Sequence, residues 1–190
     1  MKPLAPIVQL RPQLRDEQLG DEALLAACAT GDRSACALLF ERYVTSVHRF
    51  IARMRGSDAD VVDDLVQATF LAAFQGAPRF RGTNARSWLY GIAANTVRNY
   101  ARREIRRKRA LFVIAEREPE RDTRDPVLLA RLPQAIAALP HDLRAALVLV
   151  DLEGERGHDA AAALGVPTGT LWRRVFYARK ALREALGGRS

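Results

Sequence analysis

The sequence has few residues of the kinds that build disulfide or metal frameworks. Its two cysteines, Cys28 and Cys36, lie inside apolar helical patterns, which excludes a disulfide framework and favours reduced, buried thiols. Its three histidines, His48, His141 and His158, are scattered along the chain, and no glycine-rich phosphate loop is present. The sequence therefore predicts neither a catalytic centre nor a metal or cofactor.

Long apolar runs are also missing. No segment approaches the roughly 20 apolar residues that cross a bilayer, and the first residues have too little apolar length for a signal peptide. We therefore expect a cytoplasmic protein with no membrane insertion.

Basic residues are in excess. The chain carries 30 Lys and Arg against 22 Asp and Glu, a formal net charge of +8. This charge indicates a polyanionic partner, with nucleic acid the leading candidate, although it says nothing about the fold.

Apolar residues recur at helical spacing and strand alternation is absent, so we expect an all-α protein of two small helical domains joined by a flexible linker. The expected divisions are a flexible tail at 1–20, a four-helix domain at 21–109, a linker at 110–125 and a second helical domain at 126–187. Ser57 should cap the third helix, the fourth should begin near Ser87, and Asp125-Pro126 should start the second domain. Pro133 predicts a kink or a restart.

The last two predicted helices have the spacing of a helix-turn-helix around Leu164-Gly165-Val166-Pro167. The final helix, from Thr168 to about Leu186, has a buried stripe, and its other face carries Trp172, Arg173, Phe176 and Tyr177, flanked by Arg174 and Arg179. Such a face can contact DNA bases and phosphates. An amphipathic helix with a solvated basic side is the alternative.

An acidic row lies early in the third predicted helix. Asp60 and Asp64 are one turn apart, with Asp63 beside them. The row is compatible with docking to a basic partner, with solvated first-turn acids favoured by the helix dipole, or with a Mg²⁺ site.

Aromatic, amide and basic residues occur together from Phe80 onward. The loop 80–86 leads into a helix with Trp88, Tyr90, Asn95, Asn99 and Tyr100, which ends in an arginine run. This combination suits single-stranded DNA, because bases stack on rings and phosphates pair with cations. The alternative is that Trp88 and Tyr100 belong to the core.

Four segments together resemble the conserved regions of extracytoplasmic-function sigma factors of the sigma-70 family. They are Asp63 to Phe70, Phe80-Arg81-Gly82 through Ser87 to Asn95, Leu139-Pro140 through Asp151 to Gly154, and Gly165 to Leu171. In order and spacing, the resemblance covers roughly residues 21–187.

The resemblance implies a non-enzymatic subunit that directs RNA polymerase to promoters. Its implied partners are core polymerase (the beta-prime clamp helices and the beta subunit), promoter DNA and, as in many relatives, an anti-sigma factor. The implied polymerase-docking residues are Asp60, Asp63, Asp64, Gln67 and Phe70. Those implied for the −10 element are Phe80, Arg81, Asn84, Arg86, Trp88, Asn95, Arg98, Asn99, Arg102 and Arg103. Those for the −35 element are Thr168, Thr170, Trp172, Arg173, Arg174, Phe176, Tyr177 and Arg179. The competing interpretation is a helix-turn-helix regulator that never joins polymerase.

Two segments depart from the family pattern. Glu155 to Ala160 lacks the usual bulky side chains, which predicts looser packing in the first helix of the helix-turn-helix. Trp172, Arg173 and Tyr177 replace the usual basic and small polar residues, so promoter sequence cannot be transferred from relatives.

Overall fold

The computed structural model describes residues 19–55, 59–82, 84–112 and 128–187, and within these ranges all the regular structure is helical. The helices are α1 (Asp21–Ala29), α2 (Arg33–Arg55), α3 (Ala59–Gly76), α4 (Ala85–Phe112), α5 (Leu128–Ala138), α6 (His141–Leu147), α7 (Gly157–Ala163) and α8 (Thr168–Ala185). A 3-10 turn at Ala77–Arg79 follows α3, and a π-helical turn at Val148–Leu152 extends α6. The expected all-α class is confirmed. The predictions for residues 1–18, Ser57, the linker beyond 112 and Asp125-Pro126 lie outside the described residues.

Glycines with positive φ end two of the helices. Gly31 (φ +89°) closes α1 and Gly165 (φ +63°) closes α7. After each glycine, a backbone N–H returns to a carbonyl five residues earlier, from Asp32 to Ala27 and from Val166 to Ala161. This is the Schellman arrangement, which satisfies carbonyls that a helix end otherwise leaves unpaired. It creates the turn between α7 and α8.

Three boundary predictions require correction. Helix α4 begins at Ala85 rather than Ser87, because Asn84 Oδ1 accepts a hydrogen bond from the Ser87 backbone N–H at 3.0 Å and caps the helix. Helix α6 begins at His141, directly after Pro140, whereas the apolar pattern predicts a segment from Leu143 to Leu152. Helix α5 is continuous through Pro133, which is exposed, so its missing N–H does not disrupt the core.

The four helices of the first domain pack around one apolar interior. α2 contributes the deepest side chains, and Cys28 on α1 is buried while Cys36 is partly exposed. The fully or nearly fully buried residues include Leu24, Leu39, Val47, Phe50, Ile51, Met54, Leu65, Leu89, Tyr90 and Ala93. In the second domain, α6 and α8 pack through Leu149, Leu171, Val175 and Ala178, and this interior is continuous with that of the first domain.

Arg144 on α6 joins the two domains at their centre. Its guanidinium donates to the backbone carbonyls of Met54, Ala137 and Leu139. These carbonyls lie at the carboxyl ends of α2 and α5, where helices leave acceptors unpaired. A single cation therefore terminates one helix from each domain.

We expect Arg144→Ala to destabilise the protein by roughly 2–4 kcal/mol, because several carbonyls would lose a charged donor in a partly buried place. Thermal unfolding followed by circular dichroism measures this. Arg183→Ala, at an exposed position of α8, is the matched control. An equal melting temperature for both variants would contradict the role of Arg144.

His141 begins α6 beside several cations. Burial, together with the positive charges of Arg98, Arg144 and Arg102, lowers the pKa of His141 to about 4, while Asp142 acts in the opposite direction. Its Nε2 atom is buried without a hydrogen-bond partner among the described residues. The neutral imidazole is therefore the form that fits the folded chain.

We expect this histidine to make the fold acid-sensitive. The unfolded chain binds the His141 proton below about pH 6.5 and the folded chain only near pH 4, so its contribution is complete above pH 6.5 and lost as pH falls between these values. The fall in melting temperature from about pH 7.5 to about pH 5 should be smaller in His141→Gln than in the parent chain. An equal fall in both would exclude His141 as the cause.

Candidate nucleic-acid and partner-binding surfaces

The acidic row of α3 faces solvent. Asp60, Asp63, Asp64 and Gln67 are all exposed, with three quarters of the Asp63 side chain accessible. Asp63 Oδ1 lies 3.4 Å from His48 Nε2 on α2, an exposed contact of little energetic weight. No cluster of metal-ligating residues occurs in the described ranges, so the row carries no support for a Mg²⁺ site.

Phe70 is buried beneath this surface, where it lines the cleft between α2 and α3. It is 2% exposed, and its ring meets that of Phe40 edge-on at a centroid distance of 4.7 Å. The exposed apolar groups are instead Phe40 and Leu71, which the sequence analysis missed. The signal for Phe40 was that Phe40, Val44 and His48 repeat every four residues on one face of α2.

These side chains border a cleft of about 450 Å³ between α2 and α3. Its lining also includes Val66, Phe70 and Phe74, together with Asp63 and Gln67 of the acidic face. The α3 surface, defined as Asp60, Asp63, Asp64, Gln67, Phe40 and Leu71, therefore combines exposed apolar groups with a row of acids.

The segment at the start of α4 forms a second cleft, of about 400 Å³. Phe80 and Trp88 are half-buried and meet edge-on at 5.1 Å between ring centroids. The opposite wall comes from the second domain, through His158 and Asp159 at the start of α7. Aromatic rings thus face the cleft, but α7 closes one side of it.

The polar residues of this segment already have protein partners. Arg86 Nε lies 2.6 Å from Glu155 Oε1, and Asn84 Nδ2 donates to Asp159 at 3.1 Å. Asn84 also caps α4, a role that the sequence analysis missed. Arg81 is exposed and donates to the carbonyls of Pro78 and Phe80.

Helix α4 presents a polar outer face beyond this point. The exposed residues are Asn95, Asn99, Arg102 and Arg103. Arg98 instead pairs with Asp142 of α6 at 2.5 Å.

Two aromatic residues grouped with this face are not available for bases. Tyr90 is fully buried, stacks on Phe50 at 4.9 Å and donates to Glu153 at 2.9 Å. The Arg55 guanidinium covers one face of the Tyr100 ring, with Arg55 Cζ 4.8 Å from the ring centroid. Trp88 alone of the three borders the cleft.

Helix α8 has the predicted division of faces. Leu171, Val175 and Ala178 are buried, whereas about half of each of Trp172, Phe176 and Tyr177 is exposed. Arg173 and Thr168 are exposed and Thr170 is partly exposed.

Two arginines that flank this face are held by carboxylates. Arg174 donates to Asp142 at 3.1 Å, and Arg179 makes two bonds to Asp151 at 2.9 and 2.6 Å. The ion pair with Asp151 raises the pKa of Arg179.

One edge of Trp172 packs on Gly157 at the start of α7. A Cβ atom added at Gly157 would lie only 2.6 Å from a ring carbon of Trp172. The glycine in this departure from the family pattern therefore accommodates the indole. The loose packing expected for this segment is absent at Gly157, because the ring of Trp172 fills the space that a side chain at position 157 would occupy.

The described helices include none that is long and apolar enough to cross a membrane. The family model for Sigma-70 region 2 matches residues 39–107, and that for Sigma-70, region 4 matches residues 129–182. The ECF RNA polymerase sigma-E factor of Haemophilus influenzae is 32% identical over 185 residues, covering 90% of this chain and 97% of the relative. The RNA polymerase sigma-H factor of Pseudomonas aeruginosa is 34% identical, covering 87% and 93%. The chain belongs to the extracytoplasmic-function sigma factors. It is a transcription initiation factor that directs RNA polymerase to promoters.

Solved structures agree with this family. CnrH in complex with the cytosolic domain of CnrY gives a TM-score of 0.65 at 27% identity, covering 90% of this chain and 99% of that one. The sigma factor RpoE from Bartonella quintana, in complex with the anti-sigma factor NepR, gives 0.63 at 26% identity, covering 78% and 94%.

We expect Trp172 of this sigma factor to contribute to stability, because part of its ring fills the space at Gly157. Trp172→Ala should lower the melting temperature by several degrees, as a loss of about 1 kcal/mol does in a chain of this size. Phe176→Ala, at the more exposed neighbouring aromatic, should leave it nearly unchanged. If both variants melt like the parent, the packing role is wrong.

Proposed function

We propose that this sigma factor acts through three surfaces: the α3 surface on core polymerase, the start and outer face of α4 on the −10 element, and α8 on the −35 element. The domain at 21–109 carries the first two and the domain at 126–187 carries the third. The protein works in the cytoplasm by binding rather than catalysis.

The observation that carries this proposal is the α3 surface. An exposed acid row beside an apolar cleft complements a partner that presents both basic and apolar groups. A regulator that only binds duplex DNA has no use for such a surface, and acids would repel its phosphates. Docking on the clamp helices of the polymerase accounts for both features.

The −10 assignment depends on Phe80, Trp88 and the outer face of α4. Half-buried rings at the margin of a cleft offer stacking to an unpaired base, and Arg102 and Arg103 offer cations to the strand. Capturing an extruded base offsets its few kcal/mol of unstacking, so capture favours melting.

The −35 assignment depends on the exposed face of α8. The turn at Gly165 leads directly into the amino-terminal end of α8. In helix-turn-helix proteins, this end of the second helix contacts base edges. Arg173 is suited to bidentate contact with a guanine edge. Arg174 and Arg179 are suited to binding phosphates. A DNA phosphate would then replace Asp142 as the partner of Arg174 and Asp151 as the partner of Arg179.

We also propose an anti-sigma protein as a partner. The support is the similar RpoE structure, which covers 78% of this chain and is a complex with the anti-sigma factor NepR.

Charge reversal of the acid row tests the docking assignment. We expect Asp63→Arg with Asp64→Arg to weaken binding to core polymerase at least tenfold, since each reversal turns an attraction into a repulsion, while folding changes by about 0.5 kcal/mol or less. Fluorescence titration of labelled sigma factor with core polymerase measures the affinity.

The control reverses two exposed acids on other helices, Glu22→Arg with Glu184→Arg, and gives the same change in net charge. Unchanged affinity in the Asp63 and Asp64 variant, or an equal loss in the control, would remove the assignment. Failure of the parent chain to bind core or to support run-off transcription would favour the regulator that does not join polymerase.

A further inference from the structure

A sharp turn between α6 and α7 carries two acidic side chains into the contact between the domains. Gly154 (φ +69°) allows the turn, and the Glu155 N–H bonds to the Leu149 carbonyl at 2.9 Å. This is the Schellman pattern widened by one residue, as the π-helical turn requires. Glu153 and Glu155, on either side of the glycine, therefore project towards the first domain. We call residues 153–155 the acidic turn.

Glu155 occupies donors of the segment assigned above to the −10 element. Its carboxylate is 1% exposed. It accepts a hydrogen bond from the Ser87 hydroxyl, pairs with Arg86 at 2.6 Å and lies 3.4 Å from Asn84 Nδ2. A guanidinium, a hydroxyl and an amide are also the donors that a nucleic-acid phosphate or base edge uses.

Glu153 makes the second half of the contact. Its carboxylate is 2% exposed and pairs with Arg53 and with Arg49, the latter at 3.4 Å. It also accepts a hydrogen bond from Tyr90 at 2.9 Å. These partners lie on α2 and α4, so the turn bridges two helices of the first domain.

Helices α4 and α7 touch through their backbones beside the acidic turn. A Cβ atom at Gly91 would overlap the carbonyl oxygen of Ala163. This close approach brings Asp159 to the cleft that Phe80 and Trp88 border, while Glu155 is buried beside it. A DNA strand entering the cleft would meet α7 and the Asp159 carboxylate, which exclude it by contact and by charge.

The contact is suited to being released. A buried carboxylate loses much of its hydration energy, and its ion pairs recover little more than that loss. The closed arrangement is therefore only marginally favoured by its charges, and binding energy from a polymerase or DNA surface can oppose it.

We propose that the acidic turn is an intramolecular latch, in which Glu153 and Glu155 hold α7 over the cleft and occupy the donors that the promoter strand needs. The latch must open before the −10 element is bound. The statement that the latch covers a DNA-binding surface rests on the −10 assignment above. The contact between the acidic turn and the first domain does not depend on that assignment.

Two variants that act by different means test the latch in the full chain. Glu155→Gln removes the charge that holds Arg86 while keeping the shape of the side chain. Gly91→Ala inserts a methyl group against Ala163, and because Ala favours helix more than Gly does, α4 should remain intact. Glu22→Gln and Gly20→Ala are the matched controls, since Glu22 is exposed and Gly20 has open space around it.

The first measurement is the radius of gyration by small-angle X-ray scattering. The second is the affinity for a fluorescein-labelled, random-sequence single-stranded DNA 20-mer by anisotropy at one salt concentration. We expect both latch variants to have a larger radius of gyration than the parent and to bind the 20-mer about tenfold more tightly. The tenfold figure follows if about 90% of the parent molecules are closed and only the open molecules bind. The controls should match the parent in both measurements.

The outcomes separate the latch from the −10 assignment. Latch variants that stay as compact as the parent overturn the latch, even if Glu155→Gln binds DNA better through its lost charge. Variants that expand without gaining affinity overturn the gating of the cleft. Adding Trp88→Ala to the expanded Gly91→Ala chain tests the assignment alone, because it should return the affinity towards the parent value if the cleft binds the strand.

Discussion

The carboxylate of Glu155 is buried where α4 and α7 meet, and the arrangement of the two domains depends on how it is satisfied. A carboxylate removed from water requires several donors close by. Ser87 and Asn84 donate to its Oε2 and Arg86 forms an ion pair 2.6 Å from its Oε1, all from the start of α4, although Oε1 accepts no hydrogen bond among the described residues. This requirement fixes the angle at which the second domain meets the first, since a shift of an ångström would break several bonds together.

Small residues make that approach sterically allowed. Gly91 admits the Ala163 carbonyl, and Gly157 admits the ring of Trp172. The absence of bulky side chains from the start of α7 thus has a structural consequence, because it lets one short helix contact both α4 and α8 closely. Small residues bury less apolar surface than large ones. The dispersion attraction in such close contacts makes up for part of the stabilisation that is lost in this way.

Several arginines suited to DNA are paired within the protein. Asp142 holds both Arg98 and Arg174, and Asp151 holds Arg179. These arginines are therefore not free for a polyanion, although the chain as a whole carries a net charge of +8. Binding a phosphate there is an exchange of one anion for another, whereas the acids of α3 remain open to solvent.

The sequence by itself determined the helical class, most helix positions, the buried stripe of α8 and the family, because these depend on local periodicity and on motifs contiguous in the chain. Only the tertiary structure decided that Tyr90 is interior, that Phe40 and Leu71 are exposed, and that Asn84 and Arg86 face carboxylates about 70 residues further along. Periodicity identifies an apolar face but not which of its members the neighbouring helix covers. The pairing of a side chain with a distant one depends on how the domains pack, which no local pattern encodes.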